Sequence, residues 1–336
     1  MQLRAQEAQQ IFKEINKLKI GVIGDFALDF YFDIEQKTGE FSLETNHEVF
    51  WGSKPTASLG GAGNVVANLA SLGAKNIHVF GVTGDDVFGK EIEAQFDDLS
   101  INKDGILKLK YCDTSTYVKP RIGNSEINRI DFGTKNFIDD LDFNIVLKQL
   151  ELALPNLDLL IINQQFRQPL LSASRIEIVN KLFEKFPNCK VIADLRTFGS
   201  MFRNGILKVN AKELANLLSI DDLKENDTVA CILAARQLSF QINCSLLLTR
   251  GQYGCLFFDK TNIILADAIN ITSPIDTVGA GDTMVAAFAV AYASGETIIN
   301  SLIFANLAAA VTIQKLNQTG TATESEIINL MNKLKK

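Results

Sequence analysis

The sequence predicts a three-layer α/β/α domain with a small β-sheet lid. Three observations lead there. Short apolar runs alternate with helical periods along most of the chain, the pattern of a mostly parallel sheet covered on both faces. Two stretches, 29–58 and 112–133, are rich in β-formers and polar residues and carry no helical period. The composition, 47% hydrophobic and 21% charged over 336 residues, suits a single large domain over 1–336.

The elements follow in order. Residues 3–17 read as an amphipathic helix, and Lys19–Ile23 as a strand that ends at Gly24–Asp25. Asn64–Leu72 reads as a helix and Ile77–Val82 as a strand. Leu157–Ile162, Lys190–Ala193, Leu207–Val209 and Leu246–Thr249 are the continuous apolar runs of buried parallel strands. Helical patterns lie between them at 141–154, 171–186, 211–218 and 227–241. Leu256–Phe258 and Ile263–Ala266 flank a polar turn and read as a hairpin. Helices follow at 282–294, at 297–316 and from Glu324. In the second irregular stretch, Tyr117–Val118, Arg121–Ile122 and Ile127–Asp131 alternate as strands around a turn at Gly123–Asn124. A sheet of this kind over the strand ends would act as a lid. Its exposed β-formers are the basis for expecting a homodimer through the lid.

Charge and cysteine usage exclude several classes. The net charge is −6, with 33 basic against 39 acidic residues. No basic stripe exists to track phosphates, and Lys333, Lys335 and Lys336 are only a tail, so nucleic acid is not an expected partner. The five cysteines include no C-x-x-C pair, which disfavours a metal or redox motif and fits buried thiols in a reducing cytoplasm. The polar start of the chain is no secretory signal, and the apolar stretches after Asp282 and Ser301 fall short of the ~20 residues of a membrane span. A cytoplasmic location without membrane contact is therefore expected. His47 and His78 are too few for a zinc site. Neither a Walker-type phosphate loop nor a Rossmann dinucleotide fingerprint is present.

The sharpest chemical feature is Asp276-Thr-Val-Gly279-Ala280-Gly281-Asp282, which opens a helix of small residues. Glycines let the backbone approach a ligand, and the N–H groups and dipole of a helix start favour an anion. This suits a phosphoryl group in transfer, with Asp282 at the rim. The plainer reading makes Asp282 an N-cap. Helix N–H groups should also hold its pKa low and leave it ionised. The second feature is Gly60-Gly61-Ala-Gly-Asn64, read either as a turn capped by Asn64 or as a surface for a polyhydroxylated ligand. Asp25, at the end of the first strand, is expected to face the same crevice and accept sugar hydroxyls.

These residues resemble a known family. Asp276–Asp282 is similar to the C-terminal signature, and Gly60–Asn64 to the N-terminal glycine motif, of the ribokinase-like (PfkB) carbohydrate kinases. The resemblance runs from about Lys19 to about Glu326. It implies a ribokinase-like α/β domain with a β lid and transfer of the ATP γ-phosphoryl group to a sugar hydroxyl with Mg²⁺. It implies Asp282 as base and Gly279, Ala280 and Gly281 as anion hole. Asn210 and Glu213 match the N-x-x-E element that organises Mg²⁺ and phosphates. Thr249, Gly251 and Gly254 match the nucleotide-side segment, and Asn306 the position near adenine. Asp276 falls where several members hold a monovalent cation, K⁺ being the candidate here.

Within the family the chain is similar to the D-glycero-β-D-manno-heptose-7-phosphate kinase branch, the kinase half of bifunctional ADP-heptose synthesis proteins. Val22–Tyr31, Gly60–Ala74, Ser42-Leu-Glu44 and Asn128–Asp131 carry that likeness. Three departures accompany it. Asn163–Gln168 replaces a Ser-Asp-Tyr-x-Lys-Gly stretch, Asp194-Leu-Arg-Thr197 replaces Asp-Pro-Lys-Gly, and the nucleotidyltransferase domain has no counterpart. Arg129, Arg167 and Arg196 are read either as sugar-phosphate ligands or as surface ion pairs. The expected activity is therefore a sugar or sugar-phosphate kinase, heptose 7-phosphate favoured. The alternatives are another acceptor (fructose, a nucleoside or ribose, a sugar acid) or a binding protein on the same scaffold.

Overall fold

The structure is a computed structural model and describes residues 3–123, 125–316 and 319–334. Asn124, half of the expected turn, and Lys335 and Lys336 lie outside the described residues. The chain opens with α1 (Ala5–Ile15), β1 (Lys19–Gly24), β2 (Phe26–Glu35) and β3 (Trp51–Gly61). Then come α2 (Ala62–Ser71), β4 (Asn76–Gly84), α3 (Val87–Asp98) and β5 (Asn102–Leu109). Three shorter strands follow, β6 (Thr116–Ile122), β7 (Ser125–Glu126) and β8 (Ile130–Phe132). Next are α4 (Asp140–Ala153), β9 (Leu159–Gln164), α5 (Ala173–Phe183), β10 (Lys190–Leu195) and β11 (Ile206–Asn210). After α6 (Ala211–Leu218), α7 (Thr228–Ile242) and β12 (Ser245–Thr249) comes the hairpin β13 (Cys255–Phe258) and β14 (Ile263–Ala266). The chain closes with α8 (Ala280–Ala293), α9 (Ile298–Thr312) and α10 (Glu324–Leu334).

The main sheet has nine strands in the order β14-β13-β12-β11-β10-β9-β1-β4-β5. It is parallel from β5 to β12, and the β13–β14 hairpin adds an antiparallel edge. Its strands are apolar because both faces are covered: β9 is buried at every position. One core packs α1, α2, α8, α9 and α10 on one face, and a second packs α4 to α7 on the other. In α1, buried Ala8, Ile11, Phe12 and Ile15 recur at helical spacing, so a single stripe docks it. Helix α8 is different: every residue from Thr283 to Ala291 is buried, and its small side chains let α2 and α9 approach closely.

A second sheet, β3-β2-β6-β7 with β8 on β6, stands apart from these layers. It matches the stretches that lacked a helical period, with one correction. Strand β2 begins at Phe26 and β3 runs on to Gly61, so Gly60 and Gly61 end a strand instead of forming a loop. Gly61 has φ 56°, and a Cβ there would collide with the carbonyl of Asp25. That carbonyl accepts the Ala62 N–H at 2.9 Å, which seats α2 on the end of β1. Two elements escaped the sequence reading. Helix α3 buries only Gly89, Ile92 and Phe96, and β5 is a half-polar edge strand, so neither carries a strong period.

Candidate active site

The order in which strands are added reverses at the parallel pair β1–β9, with β4 and β5 to one side and the later strands to the other. A cavity of about 360 Å³ opens beside this point, over the carboxyl ends of the strands. Its lining brings together Gly60, Gly61, Asn64, Arg129, Asn210, Glu213, Gly279, Gly281 and Asp282 from the residues the sequence singled out. Arg196, also singled out, and Asp29, Tyr117, Lys119, Gln164, Gln165, Asp194, Lys208, Val278 and Thr319 complete it.

Asp282 is not an N-cap. Gly279 occupies that position with φ 77°, and Asp282 lies in the first turn of α8. A Cβ on Gly279 would sit 2.9 Å from Nδ2 of Asn64, so glycine is needed for conformation and for space. Asn64 likewise is inside α2 and caps nothing. Its Nδ2 donates to Oδ2 of Asp282 at 2.7 Å, and Gln165 Nε2 donates to Oδ1 at 3.0 Å. The direction of the Asn64 amide is set from behind. Its Oδ1 accepts from Asn68 Nδ2 at 3.1 Å, and Thr283 Oγ1 donates to Asn68 Oδ1 at 2.7 Å. At the helix start, the Ala280 N–H is already donated to Thr277 O at 3.2 Å.

The expected low pKa of Asp282 is corrected. Burial pushes it up to about 6, Asp194 adds to the rise, and Asn64, Lys208 and Gln165 oppose it. The side chain is half-buried at the cavity wall, and the loss of water on its protein side outweighs the amide donors.

Below α8, Lys208 and Asp194 form a buried pair at 3.0 Å, with Glu213 at 3.9 Å from the same ammonium. Burial pulls the Lys208 pKa down, but Asp194 and Glu213 outweigh it, and the group lies above the ordinary lysine value. Glu213 is held above its usual range by burial. Asn210 and Glu213 close a reciprocal capping box on α6: Asn210 Oδ1 accepts the Glu213 N–H and Glu213 Oε2 accepts the Asn210 N–H, both at 2.8 Å.

On the side of the second sheet, Asp29 pairs with Lys119 at 2.7 Å, and Lys119 donates to the Tyr31 hydroxyl at 3.0 Å. Thr319 Oγ1 donates to Asp29 at 3.3 Å. Arg129 lies 4.6 Å over the Tyr117 ring and pairs with Asp131 at 2.6 Å, so it lines the cavity and forms an ion pair at once. Arg196 donates to the Gln165 carbonyl at 3.3 Å. Arg167 is exposed and outside the lining.

Several expected site residues lie elsewhere. Asp25 is buried and does not face the crevice, because its carboxylate is taken up by backbone N–H groups of residues 165–170. Asp29, four residues on, reaches the cavity in its place. Thr249, Gly251 and Gly254 run along the carboxyl edge beyond Asn210, where Arg250 N–H donates to Gly254 O at 2.8 Å. Asn306, on α9, donates to Asp267 O at 2.9 Å. Asp276, in the loop before α8, donates its N–H to Ile313 O at 2.8 Å and accepts the Val278 N–H on Oδ1 at 3.0 Å.

Sequence reasoning missed Lys208, Asp29 and Lys119. A signal for Lys208 existed: a lone lysine inside the apolar run Ile206–Val209 has to be paired if the strand is buried. Among the described residues, no group of three His, Cys, Asp or Glu is placed to hold a metal. No helix among them is long and apolar enough to cross a membrane.

Comparison with known proteins agrees with this architecture. The model of the "pfkB family carbohydrate kinase" matches residues 18–325. The chain is 33% identical over 322 residues to the bifunctional protein HldE of Campylobacter concisus, covering 94% of this chain and 65% of that protein. It is 28% identical over 325 residues to HldE of Blochmanniella pennsylvanica, covering 96% and 65%. The chain thus spans just under two thirds of these relatives. Among solved structures, phosphofructokinase-2 from Escherichia coli in complex with potassium shares the fold with a TM-score of 0.73 at 18% identity, covering 95% of this chain and 100% of that one. Ribokinase from Arabidopsis thaliana, complexed with ribose and ATP, gives 0.70 at 22% identity, covering 94% and 98%. With the family model spanning nearly the whole chain, the protein is a carbohydrate kinase and belongs to the pfkB family.

Proposed function

We propose that the enzyme transfers the γ-phosphoryl group of ATP to a hydroxyl of a sugar phosphate, a heptose 7-phosphate being the favoured acceptor. One observation carries this reading: a carboxylate at a helix start, Asp282, shares a cavity with side chains suited to a polyol and its phosphate, namely Asp29, Asn64, Arg129 and Arg196. The acceptor hydroxyl lies against Asp282 and gives it a proton as its oxygen bonds to the γ-phosphorus. The β–γ bridging oxygen leaves with ADP. A carboxylate near 6 is a better base at neutral pH than an ordinary aspartate, while still being mostly ionised there.

The backbone from Gly279 to Gly281 borders the transferring group, with Ala280 contributing shape more than a free N–H. Lys208 supplies fixed positive charge beside it, its Nζ 3.6 Å from where a Cβ on Gly281 would sit. Phosphoryl transfer rests mainly on such positioning and charge stabilisation. ATP lies along Asn210, Glu213, Thr249, Gly251, Gly254 and Asn306. Mg²⁺ fits this site as a phosphate-bound ion near Glu213, since it commonly takes few protein carboxylates and Lys208 already neutralises Asp194. When bound, it neutralises charge on the transferring phosphates. We place a K⁺ site in the Asp276 loop from the motif; that phosphofructokinase-2 was solved in complex with potassium supports the choice of ion.

The sugar-phosphate preference rests on the branch motifs, the HldE relatives and the cationic rim. Arg196 has no carboxylate within ion-pair distance among the described residues. Arg196→Ala is expected to raise the acceptor KM by roughly 10–100-fold, the worth of one charge-assisted hydrogen bond, and to leave the ATP KM within about twofold. The test of the reading is ADP release with ATP and Mg²⁺ against heptose 7-phosphate, sugar 6- and 1-phosphates, free sugars and nucleosides. Turnover confined to unphosphorylated acceptors would remove the sugar-phosphate assignment. Phe41, Phe50, Trp51, Ile130 and Phe132 are exposed on and around the second sheet. A homodimer through that sheet is expected on this ground, and a monomer in sedimentation equilibrium would exclude it.

A further inference from the structure

Asp25 is a buried carboxylate with no place in the scheme above. Its Oδ2 accepts the N–H groups of Gln165 and Phe166 at 2.8 and 2.9 Å, and its Oδ1 accepts that of Leu170 at 2.8 Å. Its own N–H donates to Asn163 O at 3.1 Å. One carboxylate thus takes three donors from a single loop, 165–170. Buried N–H groups left unpaired cost about 1–3 kcal/mol each, so these bonds fix the path of the loop.

The same loop carries the side chain that touches Asp282. Gln165 is held at its N–H by Asp25 and at its carbonyl by Arg196, and its Nε2 donates to Asp282 Oδ1 at 3.0 Å. Asn64 holds the other oxygen from α2. Each oxygen of Asp282 therefore has one amide donor, and the two amides belong to separately anchored elements. Two fixed donors set the plane of the carboxylate and leave each oxygen a further lone pair for a hydroxyl.

We propose that Asp25 is a positioning residue: it holds the 165–170 loop so that Gln165 orients the Asp282 carboxylate toward the acceptor, without touching the acceptor itself. The kinetic consequence rests on Asp282 being the base; the linkage from Asp25 through Gln165 to Asp282 does not. The charged groups acting on Asp282 are Asp194 from β10 and Lys208 from β11; Asp25 is itself pushed up to about 6 by burial, against its three backbone donors and Arg196.

The test combines a spectroscopic and a kinetic arm on the full chain. With ¹⁵N-glutamine labelling, the Gln165 side-chain amide is identified by its loss in Gln165→Ala. In the wild type it should shift with pH with a midpoint near 6, a value that burial gives to Asp282 and to Asp25 alike. The side-chain amide touches Asp282 and not Asp25, so most of this shift should be lost in Asp282→Asn, where Asp25 can still titrate, and also in Asp25→Asn; an undiminished shift in Asp282→Asn would make Asp25 its source and overturn the proposal. With the best acceptor, Gln165→Ala and Asp25→Asn should each lower kcat about 10–100-fold, leave the ATP KM within twofold and move the acid limb of the pH profile upward. The double variant should be no worse than the poorer single one. Multiplying effects, or an Asp25→Asn enzyme that loses stability with its acid limb unmoved, would overturn the proposal. Should Asp25→Asn not fold, an untitrating Gln165 amide in the wild type or an unshifted limb in Gln165→Ala overturns it equally. Should no acceptor turn over, the spectroscopic arm still decides, so the two readings fail separately.

Discussion

Lys208→Met is expected to destabilise the protein by about 3–5 kcal/mol and to remove most of its turnover. The stability loss comes from Asp194. The two side chains meet at 3.0 Å and are 6% and 9% exposed, so removing the ammonium leaves a buried carboxylate without its partner. The turnover loss has a separate cause, the missing positive charge beside the transferring phosphoryl group. A second variant separates them. Lys208→Met combined with Asp194→Leu removes both charges, and replacing a buried pair by apolar side chains is often neutral. Melting temperature should largely recover in the double variant while turnover does not. Recovery of both would make Lys208 a purely structural residue.

Asp282→Asn is expected to lower kcat by about 10²–10⁴-fold and to leave ATP binding intact, the range lost when a general base is removed. Wild-type turnover should fall as pH drops through about 6, where the carboxylate takes up a proton, and this limb should vanish in the variant. The stability effect has the opposite sign. Because the folded pKa is raised above that of an unfolded aspartate, Asp282 contributes most to stability below the unfolded value, near 4. That contribution is lost as pH rises toward 6. At pH 8 the ionised, half-buried carboxylate is a cost, so Asp282→Asn should melt no lower than the wild type. A lower melting temperature at pH 8 would contradict the direction of the shift.

Much of the fold was legible because its elements are strongly periodic. The central parallel strands are mostly apolar, α1 carries a clear stripe, and the β13–β14 hairpin flanks an evident turn. Helix α3 and strand β5 were not, since a helix with three buried positions and a half-polar edge strand resemble loops. The site was legible where a motif is local. Gly279–Asp282 is a short-range feature readable as a helix start, whereas Asn210 and Glu213 were singled out only through the family resemblance and their capping box emerged with the structure. The Asp25 assignment failed for a long-range reason. Whether a carboxylate at the end of β1 faces the cavity depends on the 165–170 loop, some 140 residues away, which captures it. Lys208 escaped because its partners, Asp194 and Glu213, come together only when β10, β11 and α6 are assembled. The low pKa expected for Asp282 counted the helix start but not the burial that the assembled cavity imposes.

The most direct test follows phosphorus itself. Wild-type enzyme and Asp282→Asn are incubated with ATP, Mg²⁺ and a heptose 7-phosphate, and the mixtures are followed by ³¹P NMR. A new phosphoester resonance should grow in step with ADP in the wild type and be all but absent in the variant. Equal growth in both, or ADP release from the wild type without a new phosphoester, would contradict the assignment of this cavity as the site of transfer.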